Sequence, residues 1–498
     1  MVLVDYFVYW ITLSVNNLTG DVFMPRVARK ESSTGVYENM EYKEIVKIVN
    51  EQKEYFNNGK TLDIEFRLAE LKRLKSAIIG NEQEILNALK QDLYKPLIES
   101  YTSEIGLIIR EINTAIKNLK KWAKPEKIKS TFLTFPSKNY IMAEPFGVSL
   151  IISPWNYPFQ LSLVPLVGAI AAGNCCIIKP SEYSVASIDV IKKLINNTFD
   201  SNYIFVIDGD SEVSKYLLEQ PFDKIFFTGS PEIGKIVMER AAKHLTSVTL
   251  ELGGKSPCVV DKNINIDITA KRILWGKFMN AGQTCIAPDY LIVHKDIKEQ
   301  LYIALKKWIT VFFSENPQNS PDFGRIINKK HFDRLKNYLV ESKIIFGGSS
   351  NEQKLYIEPS IIEIDDLNSP IMQEEIFGPI LPVVVYHKPQ DIKEIIARNP
   401  NPLGFYLFST DKMLMKQLIH GIPFGGGCIN DVISHVTNHN LPFGGRGTSG
   451  IGSYHGRYSF DAFSHKKSVL QNGFIFDMSM KYPPYKDIHT HIRKFIMK

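Results

Sequence analysis

From Val148 onward, short apolar runs rich in β-branched residues alternate with stretches of helical character. The runs are VSLIIS (148–153), CCIIK (175–179), IFVID (204–208), KIFFTG (224–229), VTLEL (248–252), PCVVD (257–261) and LIVH (291–294). Because these runs are apolar on both faces, they predict parallel strands covered by helices, the doubly wound α/β class. In that class, ligands bind at the carboxyl ends of the strands.

The segment from Pro145 to Ile178 carries no charged side chain and is long enough to be considered as a membrane span. Pro154, Pro158 and Pro165 interrupt it, so we expect a strand, a loop and a buried helix instead. Near the N-terminus, YFVYWITLSV lacks the basic region and cleavage site of a signal peptide.

Residues 1–39 show no sustained period, whereas a helical pattern begins after Met40 in MEYKEIVKIVNEQKEYF. We interpret residues 1–39 as an N-terminal extension that is either disordered or upstream of a natural start at Met40. At the other end, residues 467–498 form a basic tail that includes YPPY (482–485). We expect a solvated arm there, with weak attraction to an anionic membrane as the alternative.

Composition excludes several classes of function. The five cysteines are an odd number without Cys-x-x-Cys spacing, which argues against a disulfide framework and a zinc site and favours the reducing cytoplasm. No bound metal is expected. The net charge of +6 is spread thinly, without the Lys/Arg blocks that follow a phosphate backbone, so nucleic acid is not expected as a partner.

Two segments at predicted strand ends have the composition of nucleotide-binding loops. Gly229 and Gly234 form a Gly-x-x-x-x-Gly turn that opens a helix and suits a phosphate, although a purely structural turn fits equally well. A P-loop is disfavoured because Ile236, and not Ser or Thr, follows the lysine. Lys179 and Glu182 follow another strand, where they could hold a ribose or form a surface ion pair.

Cys285 lies in NAGQTCIAPDY, after an Ala-Gly turn at the predicted end of a helix over residues 266–281. Free cysteines are mostly small buried hydrophobes, which fits Cys175, Cys176 and Cys258 in their apolar runs. The polar surroundings of Cys285 are compatible with a nucleophile. Such a thiol also needs an acid/base group and an oxyanion donor, and two polar residues at strand ends are candidates, Glu251 and Asn156.

Seven motifs together resemble the aldehyde dehydrogenase superfamily, in the order found there and over about residues 41–470. They are SPWNYPFQLS, NCCIIKPSE, FFTGSPEIG, TLELGGKSP, NAGQTCIAPDY, MQEEIFGPI and LPFGGRGTSGIGSYHGRYSFDAFSH. The first 39 residues have no counterpart in these motifs. The CIAPDY continuation and the SYHG to SFDAFSH ending are most similar to the class 3 branch, which includes fatty and aromatic aldehyde dehydrogenases.

The resemblance implies NAD(P)-dependent oxidation of aldehydes, medium or long aliphatic or aromatic, to carboxylic acids. Cys285 would be the nucleophile that forms a thiohemiacetal and then a thioester, with the oxyanion between the Asn156 amide and the Cys285 backbone N–H. Glu251 would activate the hydrolytic water and also accept the thiol proton, with a pKa raised by its apolar strand.

The resemblance also implies a set of cofactor contacts. Glu182 would repel a 2′-phosphate, so NAD is expected before NADP, although class 3 relatives accept both. The implied contacts are Lys179 and Glu182 at the adenosine ribose, Gly229, Ser230 and Gly234 at the pyrophosphate, Glu375 and Phe377 at the nicotinamide ribose and ring, and Trp155.

The expected fold has a doubly wound Rossmann-like NAD-binding domain, an α/β catalytic domain and a small β element for oligomerisation. The resemblance implies a homodimer. The expected boundaries are 40–127 and 148–252 for the NAD-binding domain, 253–441 for the catalytic domain, and 128–147 and 442–466 for the oligomerisation element.

Two features depart from the family pattern: Arg446 replaces a small or apolar residue, and Cys175-Cys176 replace a small or β-branched pair. Three other functions stay open at this point. An acylating dehydrogenase would pass the acyl group to coenzyme A, although Glu251 as a base counts against it. A cysteine-dependent esterase or thiol hydrolase would need no nucleotide, and a non-enzymatic relative would keep only the fold.

Overall fold

The computed structural model describes residues 40–131, 134–340, 342–477, 481–485 and 493. The expectations for residues 1–39 and for most of the tail beyond residue 477 lie outside this part of the chain. The helices in chain order are α1 (Tyr42–Asn57), α2 (Ile64–Gly80), α3 (Glu82–Leu93), α4 (Leu97–Ser100), α5 (Gly106–Trp122), α6 (Pro158–Ala172), α7 (Val185–Thr198), α8 (Ser211–Leu218), α9 (Pro231–Ala242), α10 (Ile266–Phe278), α11 (Lys298–Phe313), α12 (Lys329–Val340), α13 (Pro389–Ala397), α14 (Lys412–Gly421) and α15 (Arg457–Ala462).

The strands form three larger sheets and one short pair. In chain order they are β1 (Glu126–Ile128), β2 (Lys138–Pro145), β3 (Val148–Ile152), β4 (Cys175–Lys179), β5 (Ile204–Val206), β6 (Lys224–Gly229), β7 (Ser247–Leu252), β8 (Pro257–Val260), β9 (Tyr290–His294), β10 (Lys343–Phe346), β11 (Ser350–Asn351), β12 (Tyr356–Ile357), β13 (Ser360–Glu363), β14 (Ile380–Tyr386), β15 (Gly404–Phe408), β16 (Gly426–Ile429), β17 (Gly450–Ile451) and β18 (Ser464–Gln471).

The first large sheet has the order β17-β7-β6-β3-β4-β5, and all its pairs are parallel except β17 with β7. Strand β3 has β4 on one side and β6 on the other, so the strand order reverses beside it. This reversal is the position at which doubly wound sheets bind ligands. The doubly wound class predicted from the apolar runs is confirmed.

The second large sheet has the order β10-β13-β14-β9-β8-β15-β16, with β10 as its antiparallel edge strand. It is joined to the first sheet by the short segment 253–256 between β7 and β8. The carboxyl edge of the first sheet therefore leads directly to the amino edge of the second. Several of the quoted motifs lie at these two edges: SPWNYPFQLS follows β3, FFTGSPEIG ends β6 and begins α9, and NAGQTCIAPDY leads into β9.

The uncharged segment 145–178 forms β3, a loop, α6 and β4, as expected. Every residue of α6 is buried, because this helix packs between the first sheet and helices α2, α5 and α15. Within the part of the chain that the structure describes, no helix is both long enough and apolar enough to cross a membrane.

The third sheet is antiparallel, with β2 between β1 and β18. It contains the strands expected near residues 128–147, and β18 continues to Gln471, past the expected end of this element at residue 466. The side chains of β18 are mostly exposed.

Candidate active site

Cys285 is presented by an irregular turn that follows α10. The sequence predicted a helix to residue 281, but α10 ends at Phe278, because Asn280 and Ala281 adopt left-handed backbone angles, with φ of 52° and 53°. Two consecutive non-glycine residues at positive φ are unusual and mark a turn that its surroundings must hold. Cys285 lies half-buried just beyond this turn.

Two contacts hold the turn in place. The Glu99 carboxylate accepts the Asn280 backbone N–H at 2.9 Å, and burial raises the pKa of Glu99 to about 7. Gly282 has φ of 77°, and a Cβ at this position would lie 2.2 Å from the Gly378 carbonyl oxygen. Only glycine therefore lets the Cys285 turn approach the EEIFGP segment so closely.

Asn156 lies on the loop between β3 and α6 and is 2% exposed. Its Nδ2 donates to the Gln283 carbonyl oxygen at 2.9 Å, which connects this loop to the turn before Cys285. The neighbouring Tyr157 hydroxyl lies 2.6 Å from the Thr284 hydroxyl. Because an amide nitrogen carries two N–H groups, the bond to Gln283 leaves a second donor for a substrate oxygen.

Glu251 lies on β7 and is 3% exposed. Both of its carboxylate oxygens are buried without a hydrogen-bond partner among the described residues. Burial raises the pKa of Glu251 well above its usual range. A buried carboxyl without partners is costly to maintain, which makes Glu251 a candidate for a chemical role.

The environment of Cys285 disfavours the thiolate before any ligand binds. Burial is the main cause of its raised pKa, and the negative charges of Glu375 and Glu251 raise it further. Its own backbone N–H and that of Ile286 act in the opposite direction. The two carboxylates therefore lie close enough to influence the thiol, and ionisation of the thiol requires a proton acceptor or a nearby positive charge.

Glu375 and Phe377 precede β14 and face the same region. The Glu375 carboxylate packs on Gly253, where a Cβ would lie 1.9 Å from Oε2. Phe377 has φ of 53°, strained for an aromatic residue, and its ring meets that of Trp155 edge-on at 5.4 Å. Burial, with the charge of Asp289, raises the pKa of Glu375.

A buried ion pair fixes this segment. The Lys255 ammonium lies 2.6 Å from the Asp289 carboxylate and also donates to the carbonyl oxygens of Ile371 and Glu374, each at 2.8 Å. The second Asp289 oxygen accepts the Ile376 N–H at 3.1 Å. Lys255, in the motif TLELGGKSP, therefore has a buried structural role and is not available to bind a phosphate as a P-loop lysine would.

Lys179 ends β4, next to the strand that carries the Asn156 loop. Its ammonium is buried, donates to the Pro180 carbonyl oxygen at 2.8 Å and pairs with Glu182 at 3.5 Å. Burial lowers the pKa of Lys179, and the Glu182 charge opposes that shift. The ammonium and carboxylate expected at the ribose are thus brought together at the carboxyl edge of the sheet.

Gly229 and Ser230 lie at the end of β6, on the other side of β3. The Ser230 hydroxyl caps α9 by accepting the Ile233 N–H at 3.4 Å. A Cβ at Gly229 would lie 2.5 Å from the Phe227 ring, and one at Gly234 would lie 2.6 Å from Leu252. Both glycines therefore have a packing reason as well as a position at a helix N-terminus, and no direct contact joins them to Cys285.

The remaining singled-out residues have simple environments. Cys175, Cys176 and Cys258 are buried in strands, as predicted. Arg446 is exposed in a tight turn, where its backbone N–H donates to the Ser449 hydroxyl at 2.9 Å. The local turn therefore tolerates the arginine side chain. Among the described residues, no group of three or more His, Cys, Asp or Glu side chains could hold a metal ion.

Sequence reasoning missed the two buried pairs of the site, Lys255 with Asp289 and Lys95 with Glu104. The available signal for Lys255 and Asp289 was that each is a charged residue inside one of the quoted motifs. Lys95 and Glu104 lie outside every quoted motif, and nothing in their local sequence distinguishes them from surface charges.

A model of the aldehyde dehydrogenase family matches residues 19–469. The match includes residues 19–39, for which the motifs gave no counterpart. The 4,4'-diaponeurosporen-aldehyde dehydrogenase of Staphylococcus aureus (strain NCTC 8325 / PS 47) is 48% identical over 447 residues, covering 89% of this chain and 97% of that protein. The dimeric NADP-preferring aldehyde dehydrogenase of Rattus norvegicus is 44% identical over 438 residues, covering 88% and 97%.

A solved structure supports the same assignment. The substrate-bound state of Staphylococcus aureus AldH has a TM-score of 0.89 at 48% identity, covering 91% of this chain and 99% of that chain. The chain therefore belongs to the aldehyde dehydrogenase family and is an enzyme that oxidises aldehydes to acids.

Proposed function

We propose that this enzyme oxidises apolar aldehydes with NAD through a covalent intermediate on Cys285 and releases the acid by hydrolysis. One observation carries the proposal. The half-buried Cys285 lies where the carboxyl edge of the first sheet meets the amino edge of the second, with Asn156 connected to its turn and the charges of Glu251 and Glu375 close enough to shift its pKa.

The chain's own groups account for the first half of the reaction. The Cys285 sulfur bonds to the aldehyde carbon after its proton passes either to water or to Glu251, and the Glu251→Gln variant described below distinguishes these two acceptors. The carbonyl oxygen becomes an oxyanion, which the Asn156 amide and the Cys285 backbone N–H stabilise. One such preorganised donor contributes about 3 to 4 kcal/mol to the transition state. Loss of hydride from this carbon leaves a thioester on Cys285.

Glu251 carries the second half. Any proton that Glu251 took from the thiol is first released to solvent. The ionised carboxylate then takes a proton from a water molecule, whose oxygen attacks the thioester carbon. The carbon–sulfur bond then breaks, the thiolate leaves and the carboxylic acid forms. A base with a raised pKa suits this step, because its ionised form is a stronger proton acceptor than an ordinary carboxylate.

The residues at the sheet edge fit a dinucleotide. Lys179 and Glu182 would hold the adenosine ribose, the α9 N-terminus with Gly229, Ser230 and Gly234 would face the pyrophosphate, and Glu375, Phe377 and Trp155 would contact the nicotinamide riboside. The strained φ of Phe377 and the buried Thr228 hydroxyl, which lacks a partner among the described residues, support a ligand here. When bound, the nicotinamide supplies the hydride acceptor.

Two features bear on cofactor and substrate preference. The Glu182 carboxylate would repel a 2′-phosphate, which favours NAD, whereas the similar rat enzyme is NADP-preferring by name. Two aromatic rings contact the turn that carries Cys285: the Tyr406 hydroxyl donates to the Ile286 carbonyl oxygen at 2.5 Å, and the Tyr157 hydroxyl lies 2.6 Å from the Thr284 hydroxyl. This environment favours medium or long aliphatic or aromatic aldehydes.

The competing functions differ in which of these side chains they require. An acylating enzyme that transfers the acyl group to coenzyme A has no need of a buried base for water, and a thiol hydrolase has no need of the ribose-binding and nicotinamide-contacting residues. The presence of both sets of side chains favours the NAD-linked, hydrolytic reaction over both alternatives and over a non-enzymatic role.

The test is an aldehyde panel of increasing chain length, assayed with NAD and with NADP, each with and without coenzyme A. We expect higher kcat/KM with NAD, higher kcat/KM for longer or aromatic aldehydes, and free acid as product without coenzyme A. Strict dependence on coenzyme A would establish the acylating alternative. Ester cleavage without any nicotinamide reduction would establish the hydrolase.

We further propose that residues 40–127 and 148–252 form the NAD-binding domain and that residues 253–441 form the catalytic domain.

We also propose that the sheet of β1, β2 and β18 joins two chains in a homodimer. The exposed edge strand β18 and the name of the dimeric rat relative support this assembly. Sedimentation of the full chain should give twice the monomer mass. Breaking the β18 edge by Ser468→Pro should shift it toward monomer, and a monomeric parent would refute the proposal.

A further inference from the structure

Lys95 and Glu104 form an ion pair that lies completely inside the protein. Their side chains are both 0% exposed, and Nζ lies 2.6 Å from Oε1. A buried pair compensates for the loss of hydration only when its remaining donors and acceptors are also used. The other hydrogen bonds of Lys95 and Glu104 therefore identify the segment of the chain that the pair holds in place.

Those bonds converge on the loop that bears Asn156. Lys95 Nζ donates to the Asn156 carbonyl oxygen at 3.1 Å and lies 4.0 Å from the centre of the Tyr157 ring. Glu104 Oε2 accepts the backbone N–H groups of Phe159 and Gln160, at 3.1 and 2.9 Å. The pair thus holds the backbone on both sides of Tyr157.

The local backbone explains how Glu104 reaches this position. The chain forms a π-helical turn over Tyr101–Ile105 between α4 and α5. A Cβ at Gly106 would lie 3.0 Å from the Tyr101 carbonyl oxygen, so glycine accommodates the widened turn. Such π-turns insert an extra residue into a helix and are frequent at functional sites. Here the turn belongs to a helical segment whose buried carboxylate contacts the start of α6.

The held loop is also the one that contacts the Cys285 turn. Asn156 Nδ2 donates to the Gln283 carbonyl oxygen, the Tyr157 hydroxyl meets the Thr284 hydroxyl, and Asn280 Nδ2 donates to the Asn156 carbonyl oxygen at 2.9 Å. The loop therefore lies between the ion pair and the nucleophile. A change of about 1 Å in its position would move the amide relative to the sulfur.

We propose that Lys95 and Glu104 are positioning residues, which fix the Asn156 amide at the place where the oxyanion forms. The inference rests on the proposed role of Asn156. It goes beyond a stabilising ion pair, because a pair that only stabilises the fold would affect unfolding without a selective effect on the rate of acyl transfer to Cys285.

The test is the double variant K95M/E104L, which removes both charges at similar volume and so leaves no unpaired buried ion. We expect kcat for aldehyde oxidation and for hydrolysis of a p-nitrophenyl ester to fall together by about 10- to 100-fold, because both form an oxyanion. The KM for NAD and the rate of Cys285 alkylation by iodoacetamide should change by less than about threefold, because neither uses the oxyanion site.

Asp92→Asn is the matched control. The Asp92 carboxylate also accepts two consecutive N–H groups at the start of a helix, those of Ala186 and Ser187 at 3.1 and 2.8 Å. This control should lower thermal stability and leave kcat unchanged. K95M/E104Q, which also leaves no unpaired buried ion and keeps one acceptor oxygen, is a second variant with the same four readouts if the first double variant does not fold.

Each result decides the matter. Unchanged kcat in a folded pair variant would overturn the proposal, and so would a fall in kcat matched by equal changes in alkylation rate and in the KM for NAD. Asn156→Ala separates this inference from the proposed function. If Asn156→Ala lowers both rates and the pair variants do not, only the positioning role fails; if Asn156→Ala has no effect, the oxyanion role itself fails.

Discussion

Replacing Cys285 by alanine should lower the rate of aldehyde oxidation by about 10⁴-fold or more, because no other group could form the thiohemiacetal or the thioester in its place. The side chain is half-buried in a turn, so loss of its sulfur removes little packing. The residues proposed to bind the dinucleotide lie on other elements, and the dissociation constant for NAD, measured by calorimetry, should stay within about threefold of the parent value.

Cys428→Ala is the control for loss of a thiol. Cys428 is also half-buried, and its sulfur lies 3.4 Å from His435 Nδ1, but it is not part of the proposed reaction. This variant should retain the parent rate of nicotinamide reduction. Substantial turnover by Cys285→Ala would show that another nucleophile forms the intermediate, whereas loss of NAD binding would show that the substitution had damaged the site more widely.

The electrostatics of the site favour the protonated form of the Cys285 thiol before a ligand binds. Burial and the charges of Glu375 and Glu251 raise the pKa of Cys285, which keeps the sulfur protonated at neutral pH. A positively charged nicotinamide ring nearby would act in the opposite direction. In their ionised forms, the same carboxylates would also attract that ring.

Strands β3 to β9 could be predicted from the sequence, because they are continuous apolar runs with distinct ends. Strands β3 to β9 all lie within the predicted runs or within one residue of them. The end of α10 could not be predicted from the sequence, because nothing in the local sequence shows that Asn280 and Ala281 leave the helix. Their left-handed conformation depends on Glu99 and on the EEIFGP segment, which are distant along the chain.

The same distinction applies to the site. Glu251 and Asn156 could be singled out because each is a polar residue at the end of an apolar strand, where burial without a role is costly. The functions of Lys95 and Glu104 depend on which backbone atoms they meet across the fold, and local sequence does not contain that information. The residues proposed to perform chemistry were therefore easier to find in the sequence than the residues proposed to hold them in place.

Replacing Glu251 by glutamine should slow thioester hydrolysis by about 10²- to 10⁴-fold, because the amide has nearly the same shape and cannot take a proton from water. The side chain is buried without partners among the described residues, so folding should be little affected. Rapid mixing of the variant with NAD and aldehyde should give a burst of about one nicotinamide reduced per site, followed by a slow phase.

In the parent, the rate of thioester hydrolysis should increase as the pH rises through the raised pKa of Glu251, since only the ionised form of Glu251 accepts the proton from water.

Glu70→Gln is the control for loss of a buried carboxylate, because Glu70 is 6% exposed on α2 and pairs with Arg73 at 3.0 Å. It should keep the parent steady-state rate and its pH profile. A Glu251→Gln variant with an unchanged steady-state rate would mean that another base serves the hydrolysis. Loss of the burst itself would show that Glu251 is needed earlier, as the acceptor of the Cys285 proton, since the thioester would then not form.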